Sequence, residues 1–179
     1  MLASQSRGLR KVESFVSESL PRRLKRDLRA LRMVKEADLE SCAFYHLRRY
    51  LRRDPTWNVY VRKHSVHTGH FIDLMLFRRG FPRIAIELKW NRAKMSRKDR
   101  RSLRRAIRIL RVNKGYFITT LIGAKEYQKI RKARLEKKRM MEIVIPLPLE
   151  GSRLEEWKDR RKAFMSRMQR GKARRKIAA

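Results

Sequence analysis

The sequence predicts an α/β fold in which helices flank a mixed central sheet. Apolar residues recur at helical spacing between 34 and 53, and three short alternating or apolar runs follow between 56 and 90. A second helical pattern at 96–112 then precedes an apolar run at 116–123. Because a helical crossover usually joins parallel neighbours, we expect the fourth strand to extend an otherwise antiparallel sheet.

The first helix of this core is expected in "VKEADLESCAFYHLRRYLRR". Val34, Leu39, Ala43 and Leu47 recur there at nearly helical spacing. Its end is expected at Asp54, because the residue before a proline is disfavoured in the α region.

Three strands are expected next, in "TWNVYVRKHS", "HFIDLMLF" and "IAIELKW". Gly80 and Pro82 mark a turn between the second and third of them. The following helix has Ser96 as its candidate N-cap and Gly115 beyond its end, and "YFITTLIG" is the fourth strand. These elements define a core domain at 34–123.

Both ends of the chain read as basic helical extensions. Residues 1–33 are expected to form a helical arm that is broken at Pro21, since proline is excluded from helix interiors. In the extension at 124–179, "AKEYQKIRKARLEKKRMM" predicts a basic helix, and 152–170 predicts another. Between them, 142–149 predicts an edge strand that prolines limit.

The charge of the chain indicates the class of its partner. The 179 residues carry 50 Lys and Arg against 17 Asp and Glu, a formal net charge of +33. Such a chain repels itself unless it meets a polyanion, and nucleic acid is the commonest one. An anionic membrane surface is a weaker alternative, and a merely solvated basic surface is the simplest one.

The single cysteine and the hydropathy of the chain indicate the compartment. Cys42 can form no internal disulfide, which is typical of a reducing environment, and a buried structural thiol is favoured there over a nucleophile. No apolar run reaches the ~20 residues of a membrane span. We therefore expect a cytoplasmic or nucleoid-associated protein; the basic N-terminus leaves organelle targeting open.

Acidic residues inside the second and third strands are the candidates for chemistry. Side chains alternate along a strand, so Glu87 and Lys89 share one face while Ile86 and Leu88 share the other. If the two strands pair through the turn at Gly80, Asp73 can lie beside Glu87. Two adjacent carboxylates repel unless a cation separates them, and hard oxygen ligands suit Mg²⁺ or Mn²⁺.

The residues Asp73 in "FIDLML" and Glu87-Leu88-Lys89 in "IAIELKW", in this order of elements, resemble the PD-(D/E)XK, or restriction-endonuclease-like, nuclease superfamily. The resemblance covers 34–123. It implies a Mg²⁺- or Mn²⁺-dependent endonuclease in which Asp73, Glu87 and the Leu88 carbonyl ligate the metal. It also implies that Lys89 serves the attacking water, as a base or as an electrostatic stabiliser.

Many members of the superfamily add a glutamate from the first helix. Glu36 and Glu40 lie four residues apart on one helical face, and Glu36 is the first choice. The proline that precedes the aspartate in the family is Ile72 here. Glu-x-Lys also begins at Glu136 and Glu156, but both lie in predicted helices, so strand context rather than the triplet distinguishes Glu87.

Basic residues after the third strand are candidates for phosphate binding, and a solvated face explains them equally well. The set is Lys94, Lys98, Arg101 and Arg105, with Ser102 and His70 as further candidates. His64, His67 and His70 lack the spacing of a metal site.

The sequence therefore predicts a metal-dependent hydrolase of nucleic acid, with DNA favoured over RNA. The alternative is a noncatalytic nucleic-acid-binding or ribonucleoprotein component on a nuclease-like scaffold. A junction-resolving subclass of the first reading would require a homodimer.

Overall fold

One mixed sheet organises the part of the chain that a computed structural model describes, residues 2–65, 70–123, 129–135, 138–149 and 151–177. The strands are β1 (Trp57–Ser65), β2 (His70–Arg78), β3 (Phe81–Lys89), β4 (Lys114–Ile122), β5 (Arg131–Leu135) and β6 (Met140–Leu147). The helices are α1 (Leu2–Ser14), α2 (Leu20–Arg29), α3 (Glu36–Leu51), α4 (Arg97–Ile109) and α5 (Gly151–Ile177), with a π-helical turn, Phe15–Ser19, between α1 and α2.

The sheet order is β1-β2-β3-β4-β6-β5. β1, β2 and β3 pair as an antiparallel meander, and β4 lies parallel to β3 after the α4 crossover. β6 is parallel to β4, and β5 is antiparallel to β6. The predicted α/β class, with a mixed sheet flanked by helices, is confirmed.

The hairpin between β2 and β3 has a two-residue turn. Arg78 pairs with Phe81, which leaves Arg79 and Gly80 as the connection. Both have positive φ, 51° and 79°, as a type I′ turn requires, and glycine accepts that conformation without strain. Between Phe77 and Leu76 the register shifts by one residue, because Phe77 pairs with Pro82 whereas Leu76 pairs with Ile84. The turn and this shift together bring Asp73 towards Glu87, since the turn register alone would place Asp73 opposite Ile86.

The two faces of the sheet are covered by different helices. On one face Leu74, Ile86 and Ile118 pack in the main core with residues of α2 and α3. On the other face Ala85 and Phe117 pack with Leu103 and other residues of α4. Glu87 follows Ala85 by two residues, so its side chain begins on the α4 side of β3.

The N-terminal segment is part of the core, unlike the predicted arm. Buried apolar residues recur every four positions, at Val12, Val16, Leu20, Leu24 and Leu28. A strict four-residue repeat drifts slowly around a 3.6-residue α-helix, and the wider π turn offsets part of that drift. The segment thus keeps one apolar stripe against the sheet.

The predicted break at Pro21 is replaced by this π turn. The Leu20 N–H donates to the Phe15 carbonyl, five residues back, and Pro21 sits in the first turn of α2. Proline has no N–H to donate to the preceding turn, yet the backbone at Ser19 and Leu20 stays in the αR region, so the chain passes from α1 to α2 without leaving helical geometry.

The segment after β4 differs from the prediction. Arg131–Leu135, inside the predicted basic helix, is the strand β5, and it pairs with β6. β6 is therefore an interior strand rather than the predicted edge strand. Pro146 is tolerated because β5 pairs no further than Val144, so its missing N–H is needed by no neighbour on that side.

The last helix packs onto the core through few residues. Trp157 of α5 is buried in the main core, whereas most described side chains of α5 are exposed. The helix α5 has 27 residues and is rich in Lys and Arg. None of the helices in the described ranges combines the length and apolarity that crossing a bilayer needs.

The packing of the N-terminal helices can be tested with two leucine-sized truncations. Leu24→Ala removes a fully buried side chain of α2 and should lower the free energy of unfolding by about 2–5 kcal/mol. Ile109→Ala, on a side chain that is 49% exposed, should change it much less. Urea unfolding followed by circular dichroism measures both, and equal small effects would show that α2 is not part of the core.

Candidate active site

The candidate site lies where β2 and β3 cease to pair. Leu74 and Ile86 are the last paired residues, and Asp73 and Glu87 come next on the two strands. The Leu88 N–H donates to Asp73 Oδ2 at 2.7 Å, which ties the aspartate to the end of β3. This position is also the carboxyl end of a strand with a parallel neighbour, where open α/β sheets commonly bind ligands.

The ammonium group of Lys89 contacts carboxylates from three different elements. Its Nζ lies 3.1 Å from Glu87 Oε1, 3.3 Å from Glu36 Oε1 and 3.6 Å from Asp73 Oδ2. It also donates to the Leu88 carbonyl at 2.9 Å. Because one atom contacts both oxygens, the contacting oxygens of Asp73 and Glu87 lie no more than about 7 Å apart. One metal ion at about 2.0–2.6 Å from each oxygen requires a separation of about 5 Å or less.

Burial and mutual repulsion determine the ionisation of the two strand carboxylates. Burial, followed by the charge of Asp73, raises the pKa of Glu87 to about 7, against the opposing effect of Lys89. Burial also raises the pKa of Asp73, although the hydrogen bond from Leu88 and the charge of Lys89 oppose it. The site therefore holds negative charge at an energetic cost.

Lys89 is affected in the opposite direction. Burial by itself lowers the pKa of Lys89, but the charges of Glu87, Asp73 and Glu36 together outweigh it and leave that pKa raised. The lysine side chain is thus held as a cation by the carboxylates that surround it.

Both candidate glutamates of α3 lie near the strand residues. Glu36, at the start of the helix, is 47% exposed at its side chain, and its Oε2 accepts the Trp90 N–H at 3.3 Å. Glu40, one turn later, is buried, and its charge contributes to the raised pKa of Asp73. The structure brings together Asp73, Glu87, Lys89 and Glu36. Glu40 is buried near Asp73.

The loop that follows β3 is fixed by residues that sequence reasoning did not identify. Asn91 N–H donates to Thr120 Oγ1 at 3.0 Å, and Asn91 Oδ1 accepts the Ile122 N–H at 3.0 Å. Farther along, the Met95 N–H donates to Glu142 Oε1 at 2.9 Å. The asparagine itself was the signal in the sequence, since asparagine is enriched at positive φ and Asn91 has a φ of 51°.

The helix α4 presents basic side chains beside the site. Ser96 and Asp99 form a capping box at its start, and the charge of buried Asp99 contributes to the raised pKa of Glu87. The predicted phosphate ligands Lys94, Lys98, Arg101 and Arg105 are all exposed. Ser102 is instead buried on the helix face towards the sheet, so it does not join that exposed group.

The remaining sequence candidates lie elsewhere. His70 begins β2, but its side chain and that of His64 are outside the described part of the structure, as is the whole of His67. Cys42 packs against the main core, and burial, with the charges of Asp27 and Asp38, raises the pKa of its thiol to about 11. A thiol of that pKa is a poor nucleophile at neutral pH.

The donor set of the site fits a hard divalent cation. Glu87 Oε2 is buried and has no hydrogen-bond partner, so one carboxylate oxygen remains for a further ligand. Asp73 and the Leu88 carbonyl add oxygen donors of the kind that Mg²⁺ and Mn²⁺ take. No group of three His, Cys, Asp or Glu residues that could hold a metal ion occurs among the described residues, and Lys89 contacts both strand carboxylates.

Comparisons with known proteins do not assign a family. No family model matches the chain, and no curated protein does. Among solved structures, the chain is similar to one from Thermococcus gammatolerans, a refined half-complex from a tetradecameric assembly of McrB AAA+ hexamers with bound McrC. Identity is 10% and the TM-score 0.35, over 69% of this chain and 32% of that chain. The chain thus spans about a third of its neighbour, and a likeness at this TM-score supports no conclusion.

The cost of charging Glu87 predicts how stability depends on pH. Its pKa is about 7 in the folded chain against an ordinary value of 4.5, so the folded state binds more protons between these pH values. The contribution of Glu87 to the free energy of unfolding should therefore fall as pH rises from about 4.5 to 7. Glu87→Gln should remove this loss and be more stable than the native chain by about 1–3 kcal/mol at pH 8.

The measurement is urea unfolding at several pH values in buffer with EDTA. Glu155→Gln, on an exposed side chain of α5, is the matched control and should follow the native curve. A Glu87→Gln curve that stays parallel to the native one from pH 4.5 to 8 would contradict the prediction.

Proposed function

We propose that this chain is a metal-dependent nuclease that hydrolyses phosphodiester bonds of DNA, and that residues 34–123 form a restriction-endonuclease-like core. The observation that supports it most is the convergence of Asp73, Glu87 and Glu36, from two strands and a helix, on the single ammonium group of Lys89. Placing like charges together destabilises a fold, and such clusters are typical of functional sites.

In this proposal Asp73, Glu87 and the carbonyl of Leu88 hold Mg²⁺ or Mn²⁺. When bound, the cation supplies a water of lowered pKa and neutralises charge on the phosphate. Glu36 positions the loop at Trp90 through its hydrogen bond to the backbone. Lys89, on the same strand face as Glu87, orients the attacking water or stabilises the charge that develops on the phosphate oxygens.

The surroundings of the site suit a polyanionic substrate. Four exposed basic side chains lie in the loop before α4 and along its first two to three turns: Lys94, Lys98, Arg101 and Arg105. Asp99, in the first turn of α4, is close enough to influence Glu87. Such side chains contact phosphates without reading sequence, so we propose that they hold the DNA backbone.

A noncatalytic nucleic-acid-binding protein is the second candidate, and one observation favours it. Lys89 contacts all three carboxylates, so each of them already has a cationic partner in the protein. A scaffold that retained this cluster for stability alone would bind nucleic acid through its net charge of +33 and leave it uncut.

Cleavage of supercoiled plasmid separates the two candidates. With Mg²⁺ the native chain should nick or linearise the plasmid, and with EDTA it should not. Asp73→Ala and Lys89→Ala should each lower the rate by about 100-fold or more, because each removes a group that contacts the metal or the reacting water.

Lys158→Ala provides the matched control. Lys158 belongs to another Glu-x-Lys triplet, but it lies on the exposed face of α5 and pairs with Glu155. Its variant should cut at the native rate. Equal, metal-independent results for all the variants, with DNA binding retained, would exclude the nuclease proposal and leave the binding protein.

A further inference from the structure

A basic cleft, remote from the carboxylate site, lies at the far end of α3. It has a volume of about 340 Å³ and lies between α2 and the carboxyl end of α3. We call it the arginine cleft. Its lining residues are Arg23, His46, Arg49, Tyr50, Arg52 and Arg53.

One ring nitrogen of His46, the histidine of the arginine cleft, is hydrogen-bonded, and the other has no hydrogen-bond partner. His46 is only 5% exposed, and its Nε2 lies 2.6 Å from Oδ2 of Asp27, which is itself buried. Arg32 contacts the other oxygen of Asp27 at 3.2 Å, so the carboxylate is fixed. His46 Nδ1 is buried and has no hydrogen-bond partner, although a buried polar atom normally has one.

The arginines of the cleft have few counter-charges in the protein. Arg23 lies over the ring of Phe15, and Arg49 donates to Tyr45 Oη at 3.2 Å. The side chains of Arg52 and Arg53 form no hydrogen bond or ion pair with the residues that the structure describes. Four guanidinium groups gathered around one cleft repel one another, and an anion bound there would relieve that repulsion.

An aromatic ring connects the arginine cleft to a second basic cleft. Tyr50 stacks on Phe15 with ring centroids 3.9 Å apart, and its Oη donates to the Lys11 carbonyl. The ring also borders a neighbouring cleft of about 420 Å³, where Arg7, Arg10 and Lys11 are the basic lining residues. Cationic clefts on both sides of a fixed ring suit a polymer with repeated phosphates better than one small anion.

We propose that the arginine cleft binds a backbone phosphate of the nucleic acid at a distance from the carboxylate site. Glu36 begins α3, and Arg52 follows its last residue. The 16 residues of α3 span about 24 Å, which corresponds to about seven base pairs of duplex. This inference rests on the proposed function for the identity of the polymer, whereas the cleft itself is independent of metal and cleavage.

Binding of a fluorescein-labelled duplex, three helical turns long, tests the proposal in EDTA across a series of KCl concentrations. Arg52→Ala/Arg53→Ala removes two cleft charges that have no protein partner. It should lower the affinity about tenfold or more and reduce the slope of log K against log salt by about 2. Lys132→Ala/Arg134→Ala removes equal charge from the exposed edge strand β5 and should change both quantities less than half as much.

A second measurement reports on the cleft itself. The side-chain ¹⁵N resonances of His46 should shift when duplex is added to the native chain and to the Lys132/Arg134 variant. They should not shift in the Arg52/Arg53 variant, and thermal unfolding followed by circular dichroism should show that all three proteins are folded.

Equal losses of affinity in the two double variants would overturn the proposal. So would His46 resonances that do not shift when duplex is added to the native chain. The proposal would also be overturned if the Arg52/Arg53 variant lost binding to vesicles of phosphatidylserine and phosphatidylcholine while its duplex binding stayed unchanged. The cleft would then bind a lipid surface. If the Arg52/Arg53 variant selectively loses duplex binding but the native chain does not cut DNA with Mg²⁺, the cleft proposal stands and the nuclease proposal fails.

Discussion

The site depends on one ammonium group that lies among carboxylates from separate elements. Glu36 of α3, Asp73 of β2 and Glu87 of β3 would repel one another without Lys89, and burial makes that repulsion stronger. The hairpin turn and the one-residue register shift between Phe77 and Leu76 set the register of the two strands at the site, and the Leu88 N–H anchors Asp73. The cluster is thus a consequence of register, burial and one lysine.

The centre of the fold was predictable because its signals are local. Period-two alternation predicts that Glu87 and Lys89 share a strand face, and the short turn predicts that β2 and β3 pair. The one-residue register shift between Phe77 and Leu76, which brings Asp73 beside Glu87, has no local sequence signal. The ends were less predictable. β5 reads as helix because Arg, Lys, Ala and Leu are strong helix formers, and its strand state comes from pairing with β6. The N-terminal stripe at Val12, Val16, Leu20, Leu24 and Leu28 was visible in the sequence, but its four-residue period fits a helix core only with the π turn.

The helix α3 links two regions of different chemistry. Its first turn carries Glu36 to the carboxylate site, and its carboxyl end carries His46 and several arginines to the arginine cleft. α2 packs beside α3 and supplies Asp27, which fixes His46, and Arg23. The N-terminal helices therefore complete the core and also one wall of a basic surface, which explains why basic and buried apolar residues alternate along them.

A crystal structure of the chain with Mn²⁺, using the anomalous signal of the metal, tests whether Asp73 and Glu87 hold a cation. We expect an anomalous peak about 2.0–2.6 Å from carboxylate oxygens of both residues, with Lys89 Nζ displaced from at least one of its present contacts. An electron density map without such a peak, with Lys89 still bound to Glu87, Glu36 and Asp73, would contradict this expectation.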